Sequence, residues 1–174
     1  GVILGRRVLR SHQRLQSYTS MLNLSLASSR VLVPDERAQV ALSGLVRLLA
    51  ARRAFLFLRN EQSGQLEFAS GRSSEGQSLH APTAVDLSFV EQCLVSQRPT
   101  MRRSSDKRQV LMAAPLQVRG QPLGVLYIES DTNRKGLHEE DLDVLIGLAH
   151  QIAISIVSAK TLRLEMDAAL TQKR

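Results

Sequence analysis

The strongest constraint on the fold is a pair of apolar segments joined by a short polar turn. Residues 110–118 and 123–128 are rich in apolar, strand-forming residues. Between them lie Arg119, Gly120 and Gln121, which suit a tight reversal of the chain. Two such runs around a glycine-containing turn predict a β-hairpin. An antiparallel sheet is therefore the predicted centre of the fold.

A second strand pair is predicted upstream of this hairpin. Residues 54–58 form a short apolar run between polar residues, which indicates a well-buried strand. Turn-forming residues follow at 60–64, and Leu66, Phe68 and Ser70 then recur at every second position. We predict that these two segments also form a hairpin.

The segment between the two strand pairs is predicted to contain one helix flanked by loops. Residues 71–84 contain several Gly and Ser residues, and residues 102–108 are basic and polar, so both are predicted to be loops. Residues 86–97 place their apolar side chains on one face at helical spacing. This helix is predicted to end at Arg98-Pro99, because a proline disfavours helical geometry in the residue before it.

Helices are also predicted at both ends of the chain. Residues 6–30 carry an amphipathic helical stripe, and a second helix runs from Asp35 to about residue 53. The last helix begins near Glu139, where acidic residues complement the helix dipole, and its stripe outlasts the globular body. The terminal stripes contain Leu15, Leu22 and Leu26 at one end, and Ile152, Ile156, Ala159 and Leu162 at the other.

These elements predict three segments along the chain. Residues 1–30 form an N-terminal linker helix, residues 31–158 a globular domain, and residues 159–174 a C-terminal helical linker. The predicted fold class is α+β, with a central antiparallel sheet and helices on both faces. We expect the N- and C-terminal helices to pack together on one face, to extend beyond the domain, and to pair with a second copy of the chain.

Composition and charge exclude several classes of function. The net charge of +7 is concentrated in residues 1–30 and 98–108, so no uniformly basic nucleic-acid surface is predicted. Aromatic residues make up only 3% of the chain, which leaves little material for base stacking. The single cysteine, Cys93, excludes zinc sites built on several thiolates. We therefore expect neither a nucleic-acid partner nor a bound metal.

The two ends of the chain indicate a piece of a longer protein. It begins at Gly1 without an initiator Met and ends within a charged helical pattern. No apolar run approaches the roughly 18 residues of a membrane-spanning helix. Apolar residues 1–5 followed at once by arginines would fit the cytoplasmic exit of such a helix, although a soluble linker is favoured. We expect a cytoplasmic domain, attached to a membrane only if a suitable segment precedes Gly1.

Three motifs, in this order and spacing, resemble the GAF domain family of sensor and dimerisation modules. The first is the strand at residues 54–58. The second is Ala114-Pro115-Leu116 followed by Gly120 and residues 123–129, and the third extends from residue 137 to residue 156. The resemblance covers roughly residues 20–160, and these residues identify a fold rather than a chemistry.

The resemblance implies a non-catalytic regulatory domain of a bacterial multidomain signalling protein. Such a domain is expected to bind a small ligand, to form a homodimer, or to do both, and so to control an output domain through its terminal helices. The family suggests a histidine kinase, a nucleotide cyclase, an enhancer-binding ATPase or a serine/threonine phosphatase as the output. No cofactor can be named from the sequence.

The resemblance also implies a ligand pocket between the sheet and a helix. Apolar candidates for its lining are Phe57, Phe68, Met101, Met112 and Leu126. The basic segment 98–108 is expected to border this pocket, where Arg102, Arg103 or Lys107 would close over an anionic ligand. Alternatively, the segment is a solvated loop, or Arg102-Arg103-Ser104-Ser105 is a site for a basophilic kinase.

Two other functions remain open. The domain is a structural dimerisation spacer without a ligand if Phe57, Phe68 and Met112 fill its interior and leave no void. A redox enzyme of the GAF-type sulfoxide reductase class is the less favoured alternative, because that class needs several cysteines and only Cys93 is present. No catalytic pair of carboxylates and no phosphate-binding glycine loop is evident, so no enzymatic activity is predicted.

Overall fold

The computed structural model describes residues 34–132 and 137–172. The helix predicted over residues 6–30, with Leu15, Leu22 and Leu26, lies outside these ranges. In chain order the described elements are α1 (Pro34–Leu48), β1 (Arg53–Arg59), β2 (Leu66–Ser73), β3 (Ser78–Leu79), α2 (Leu87–Ser96), β4 (Thr100–Arg103), β5 (Gln109–Val118), β6 (Gln121–Asp131) and α3 (Glu139–Gln172).

The strands form one six-stranded antiparallel sheet in the order β3-β2-β1-β6-β5-β4. Both predicted hairpins are present, and they meet where β1 pairs with β6. Arg119 and Gly120, with φ of 51° and 76°, make the two-residue turn between β5 and β6. A Cβ at Gly124 would lie 2.1 Å from the carbonyl oxygen of Phe57, so the close approach of β6 to β1 requires glycine there.

Two segments that the sequence predicts to be loops contain strands instead. β4 lies within the basic segment 98–108 and pairs with β5, and β3 lies within residues 71–84 and pairs with β2. The loop predictions are wrong here because both strands are short, polar strands at the edges of the sheet. Such strands are held by pairing with a neighbour and carry no long alternating apolar pattern.

Helices cover both faces of the sheet, which confirms the predicted α+β class. α1 and α3 pack on one face, called the aliphatic face, and α2 alone packs on the other, called the aromatic face. The core of the aliphatic face includes Leu42, Leu56, Met112, Leu126, Leu145 and Leu148. The core of the aromatic face includes Phe55, Phe57, Phe89, Cys93 and Tyr127.

α3 has a buried first part and an exposed second part. Its buried residues lie between Val144 and Ala153, and every residue from Lys160 to Gln172 is exposed. By length and composition alone this helix is apolar enough to cross a membrane, although its apolar residues do not form one uninterrupted run. Much of that apolar character belongs to side chains that pack on the aliphatic face.

Candidate functional site

The seven residues predicted to line a pocket are distributed over the whole width of the sheet. Phe57 and Phe68 lie on the aromatic face. Met112 and Leu126 are fully buried on the aliphatic face. The sheet separates these two pairs, so they do not line one common cavity. The other three, Met101, Arg102 and Arg103, lie together on the edge strand β4.

A β-bulge in β2 accounts for the position of Phe68. Leu56 pairs with Ser70, whereas the next residue of β1, Phe57, pairs with Phe68, so Ala69 is an extra residue. The bulge turns Phe68 toward the aromatic face while Ser70 stays on the aliphatic face. There the Ser70 hydroxyl accepts a hydrogen bond of 2.7 Å from Gln39 of α1. The regular alternation read from the sequence does not reveal this extra residue.

Aromatic rings pack closely on the aromatic face. The centroids of Phe55, Phe57 and Phe68 lie 6.2 to 6.4 Å from one another. Tyr127 extends the cluster, with its ring centroid 6.1 Å from that of Phe55 and 6.3 Å from that of Phe89. Tilted and edge-to-face pairs at these separations are favourable. This packing of Phe57 and Phe68 is what the spacer alternative expects.

A buried ion pair lies beside these rings. Glu129 is only 1% exposed, and its carboxylate accepts hydrogen bonds from Arg53 Nε and from the Tyr127 hydroxyl, the latter at 2.8 Å. Arg53 also donates a 2.7 Å hydrogen bond to the carbonyl of Thr83, in the loop before α2. Burial and the Glu129 carboxylate raise the pKa of Tyr127, so its hydroxyl remains a donor at neutral pH.

Sequence reasoning missed this ion pair. Arg53 is the first residue of β1 and Glu129 lies two residues before the end of β6, and their ion pair depends on the register that aligns Arg53 with Glu129. One signal in the sequence could have revealed it. Glu129 lies two residues after Tyr127 in an apolar strand, so it occupies the same buried face although it is charged.

α2 is fastened to β4 through Asp86 and Arg102. The Asp86 carboxylate caps α2 by accepting hydrogen bonds from the Ser88 hydroxyl at 2.6 Å and the Phe89 amide at 3.3 Å. Arg102 pairs with the same carboxylate and lies 4.7 Å from the Phe89 ring centroid. The hydrogen bond from Ser88 is the main cause that lowers the pKa of Asp86, and Arg102 adds to it. Arg102 is therefore held against α2 in this structure.

Cys93 lies at the centre of α2 and is completely buried. Its thiol donates a hydrogen bond of 3.4 Å to the carbonyl of Arg98. Burial raises the pKa of the thiol to about 12. Because the reactive form of cysteine is the thiolate, this environment suppresses nucleophilic and redox chemistry at neutral pH. Within residues 34–132 and 137–172, no cluster of His, Cys, Asp and Glu is suited to hold a metal ion.

An open cleft of about 540 Å³ lies between β4 and the first turns of α3. Its lining consists of Met101, Arg102, Arg103, Glu139, Leu142 and Asp143. Three of the seven predicted pocket residues therefore meet in this cleft, whose volume is in the usual range for small-ligand sites. The sequence did not predict the three residues of α3, because only tertiary packing brings them beside β4.

The predicted dimer residues of α3 form one continuous stripe. Ile152 and Ile156 pack against the aliphatic core, and Ala159 is half-buried. The stripe then leaves the domain, because Leu162 is 53% exposed. Met166 and Leu170 extend it at helical spacing and are 59% and 66% exposed. The same helix face thus changes from core to surface within about three turns.

The sequence of this chain matches a known family model. Residues 33–157 match the model described as GAF domain. A search of curated proteins finds no sequence match. The solved structures that resemble this chain share its fold over most of their length, but their sequence identity to it is low.

Three of these structures illustrate that likeness. The GAF domain of phosphoenolpyruvate-protein phosphotransferase from Acinetobacter has a TM-score of 0.65 at 12% identity, covering 86% of this chain and 93% of its own. Residues 122 to 287 of a methyl-accepting chemotaxis protein give 0.62 at 19% identity, with 83% and 98% covered. The A. aeolicus nlh2 GAF domain in an inactive state gives 0.60 at 15% identity, with 88% and 99% covered.

Proposed function

The chain belongs to the GAF domain family, and from this premise we propose that it is a non-catalytic regulatory domain that acts through its terminal helices. The observation that carries the proposal is the continuation of the α3 stripe beyond the domain. Leu162, Met166 and Leu170 prolong the face that packs on the sheet, at spacings of four residues. Apolar residues at such spacings favour pairing with another helix.

A second copy of the chain is the proposed partner of this stripe. Pairing two copies of α3 side by side would bury the exposed leucines and methionine and gain hydrophobic free energy. The N-terminal stripe, with Leu15, Leu22 and Leu26, is proposed to complete a parallel four-helix interface. In this arrangement the output domains of a longer protein lie next to each other, on the cytoplasmic side of any membrane anchor.

α3 connects the cleft with the dimer stripe. Glu139, Leu142 and Asp143 of its first turns line the cleft. Near the other end of the packed part, Lys160 forms an ion pair with Glu61 in the turn between β1 and β2. A small ligand that contacts the cleft differently in two positions of α3 would bias a rotation or shift of the helix.

A structural spacer is the second candidate function. The packed rings of Phe55, Phe57 and Phe68 favour it, because they occupy the interior of the aromatic face. A spacer also dimerises through α3, but no small molecule regulates it. The two candidates therefore differ in ligand binding at the cleft and agree on the role of the helices.

Multi-angle light scattering tests the dimer. We expect the wild-type chain to be a dimer and the variant with Leu162→Asp and Met166→Asp to be a monomer, because a charge in a helix seam disfavours pairing. Leu164→Asp is the matched control, since Leu164 is 62% exposed on another side of α3. A wild-type chain that stays monomeric at high concentration contradicts the proposal.

A thermal-shift screen of the dimer then separates sensor from spacer. Nucleotides, amino acids, organic acids and haem are the probes, and a compound that binds the native state raises the Tm. Arg47, an exposed arginine near the end of α1 that does not line the cleft, is the control. A shift that is lost in Arg103→Gln and kept in Arg47→Gln supports a ligand at the cleft. A stable dimer without any shift favours the spacer.

A further inference from the structure

β4 presents backbone hydrogen-bonding groups to solvent along one edge of the sheet. The Ser104 amide donates to the Gln109 carbonyl at 2.9 Å and closes the hairpin between β4 and β5. Bonded and non-bonded positions alternate in an antiparallel pair, so Thr100 and Arg102 bond to β5. The amides and carbonyls of Met101 and Arg103 therefore point away from the sheet. In the part of the chain that the structure describes, no strand pairs with them.

Pro115 in β5 is consistent with this register. Its nitrogen points to the side of β5 on which β4 lies. The last residue pair between β4 and β5 is Thr100 with Ala113, so Pro115 lies two residues past the end of that pairing. A proline cannot donate a ladder hydrogen bond, and at this position no partner strand requires one. The open edge of the sheet therefore begins at Pro115 on β5 and continues along the outer side of β4.

Positive charge surrounds the open edge. Arg98, Arg103 and Lys107 are exposed, and none of them forms an ion pair with a carboxylate among the described residues. The one acid of the hairpin, Asp106, accepts hydrogen bonds from the Ser104 hydroxyl and the Arg108 amide within its own turn. Within the described part of the chain, the edge thus combines unpaired backbone groups with cations that form no ion pair.

We propose that the β4 edge binds an acidic, extended peptide segment of a partner protein, which adds to the sheet as a further strand. Main-chain hydrogen bonds to Met101 and Arg103 would supply affinity, as in other cases of strand addition. Charge complementarity with Arg103, and with Arg98 and Lys107 near the two ends of β4, selects acidic residues in the peptide. The proposal goes beyond the regulatory function above and holds for a monomer as well as a dimer.

The two sides of the edge specify the order of residues in the peptide. Arg102 faces α2, whereas Met101 and Arg103 face the cleft side, where Leu142 lies nearby. Met101 is 37% exposed, so it offers an apolar contact to the residue opposite it. Glu139 and Asp143 on the far wall of the cleft repel an acid at that position. The preferred segment therefore has an apolar residue opposite Met101 and acidic residues beside it, toward Arg103.

A short peptide with a palindromic sequence tests the proposal for both parallel and antiparallel addition to β4. The probe is a fluorescein-labelled peptide with the sequence Ser-Thr-Val-Glu-Glu-Val-Thr-Ser, and its control has Gln-Gln in place of Glu-Glu. We expect saturable binding of the probe, measured by fluorescence anisotropy at low salt, and weaker binding of the control peptide. Arg103→Gln should weaken binding about threefold to fivefold, and Arg47→Gln should not.

Backbone participation is tested at Met101. Met101→Pro removes only the outward amide and leaves the bonds between β4 and β5 in place, whereas Met101→Leu keeps the amide. We expect the proline variant to lose about tenfold or more in affinity. Independently of any variant, the probe should slow hydrogen exchange at the Met101 and Arg103 amides of the wild-type chain.

Three results would overturn the proposal. The first is equal binding of the probe by the proline and leucine variants when both are folded by circular dichroism. The second is unchanged exchange at both amides in the presence of saturating probe. The third is a failure of the probe to bind while a DNA oligomer or phosphatidylserine vesicles bind, which would assign the cations to a different class of partner.

Discussion

The two faces of the sheet are packed by different means. On the aliphatic face, two helices cover the strands, and the buried polar residues are Ser70 and Ser130, whose side chains are hydrogen-bonded to Gln39 and to the Ala50 carbonyl. On the aromatic face, one helix of 10 residues leaves much of the strand surface to large rings. The same face contains the buried ion pair between Arg53 and Glu129.

The comparison shows that the helices packed on a sheet face determine which types of side chain are buried there. Two helices cover the aliphatic face with aliphatic side chains, and α3 leaves the domain from this face. One short helix covers the aromatic face, and the Arg53 of the ion pair there is also hydrogen-bonded to the loop at Thr83. We therefore expect the aromatic face to open at a lower free-energy cost than the aliphatic face.

The largest expected effect is on the reactivity of Cys93, which reports the opening of α2. With a thiol pKa of about 12, native Cys93 should react with iodoacetamide at pH 8 about a thousandfold more slowly than the unfolded chain. The chain has only one cysteine, so the rate is assigned without ambiguity. A native rate within about tenfold of the unfolded rate would show that α2 does not keep this thiol buried.

The next effect concerns the ion pair of the aromatic face. Arg53→Leu should lower the free energy of unfolding by about 4 kcal/mol, because it leaves the Glu129 carboxylate buried without its cation. Combining it with Glu129→Leu should recover most of this loss. The matched control is Arg52→Leu, which removes an exposed pair with Asp131 and should cost less than about 1 kcal/mol. Urea denaturation measures all three, and equal costs for Arg53→Leu and Arg52→Leu would contradict the burial of the pair.

The aliphatic face should respond to a cavity rather than to a charge. Leu148→Ala removes a fully buried side chain of α3 and should lower the free energy of unfolding by about 3 kcal/mol. Leu164→Ala, on the exposed part of the same helix, should change it by less than about 0.5 kcal/mol. If both substitutions had the same effect in urea denaturation, the division of α3 into a packed and a projecting part would be wrong.

The smallest effect is expected at the cap of α2. Asp86→Ala should lower the free energy of unfolding by about 1 kcal/mol at pH 7, because it removes the capping carboxylate. The pKa of Asp86 is lowered in the folded chain, so the ionised form stabilises the fold. This contribution is present above the unfolded pKa of about 4 and is lost as the pH falls through the lower folded pKa.

The pH dependence of the difference between wild type and variant checks the role of charge at Asp86. The difference should shrink below about pH 4. Asp86→Asn is the control, since asparagine also caps helices but carries no charge that titrates. A difference between wild type and Asp86→Ala that stays constant down to pH 2 would speak against the ionised cap.

The local sequence pattern predicted the central strands of the sheet but not the short strands at its two edges. The hairpin around Gly120 and the strand at residues 54–58 were found because buried strands carry long apolar runs. β3 and β4 were missed because pairing with β2 and β5 holds them, and their own residues are polar. The candidate site shows the same limit. Met101, Arg102 and Arg103 meet in the cleft, while Phe57 and Met112 lie on opposite faces.

The sequence by itself determined the α+β class, the two hairpins and the apolar stripe of α3, because residue periodicity records which side of an element avoids water. Only the tertiary structure decided which elements share a face, where the bulge at Ala69 turns Phe68, and how Glu129 meets Arg53. These features depend on strand register and on contacts between residues distant in the chain. A register change of one residue moves every side chain to the other face, and local periodicity does not determine the register.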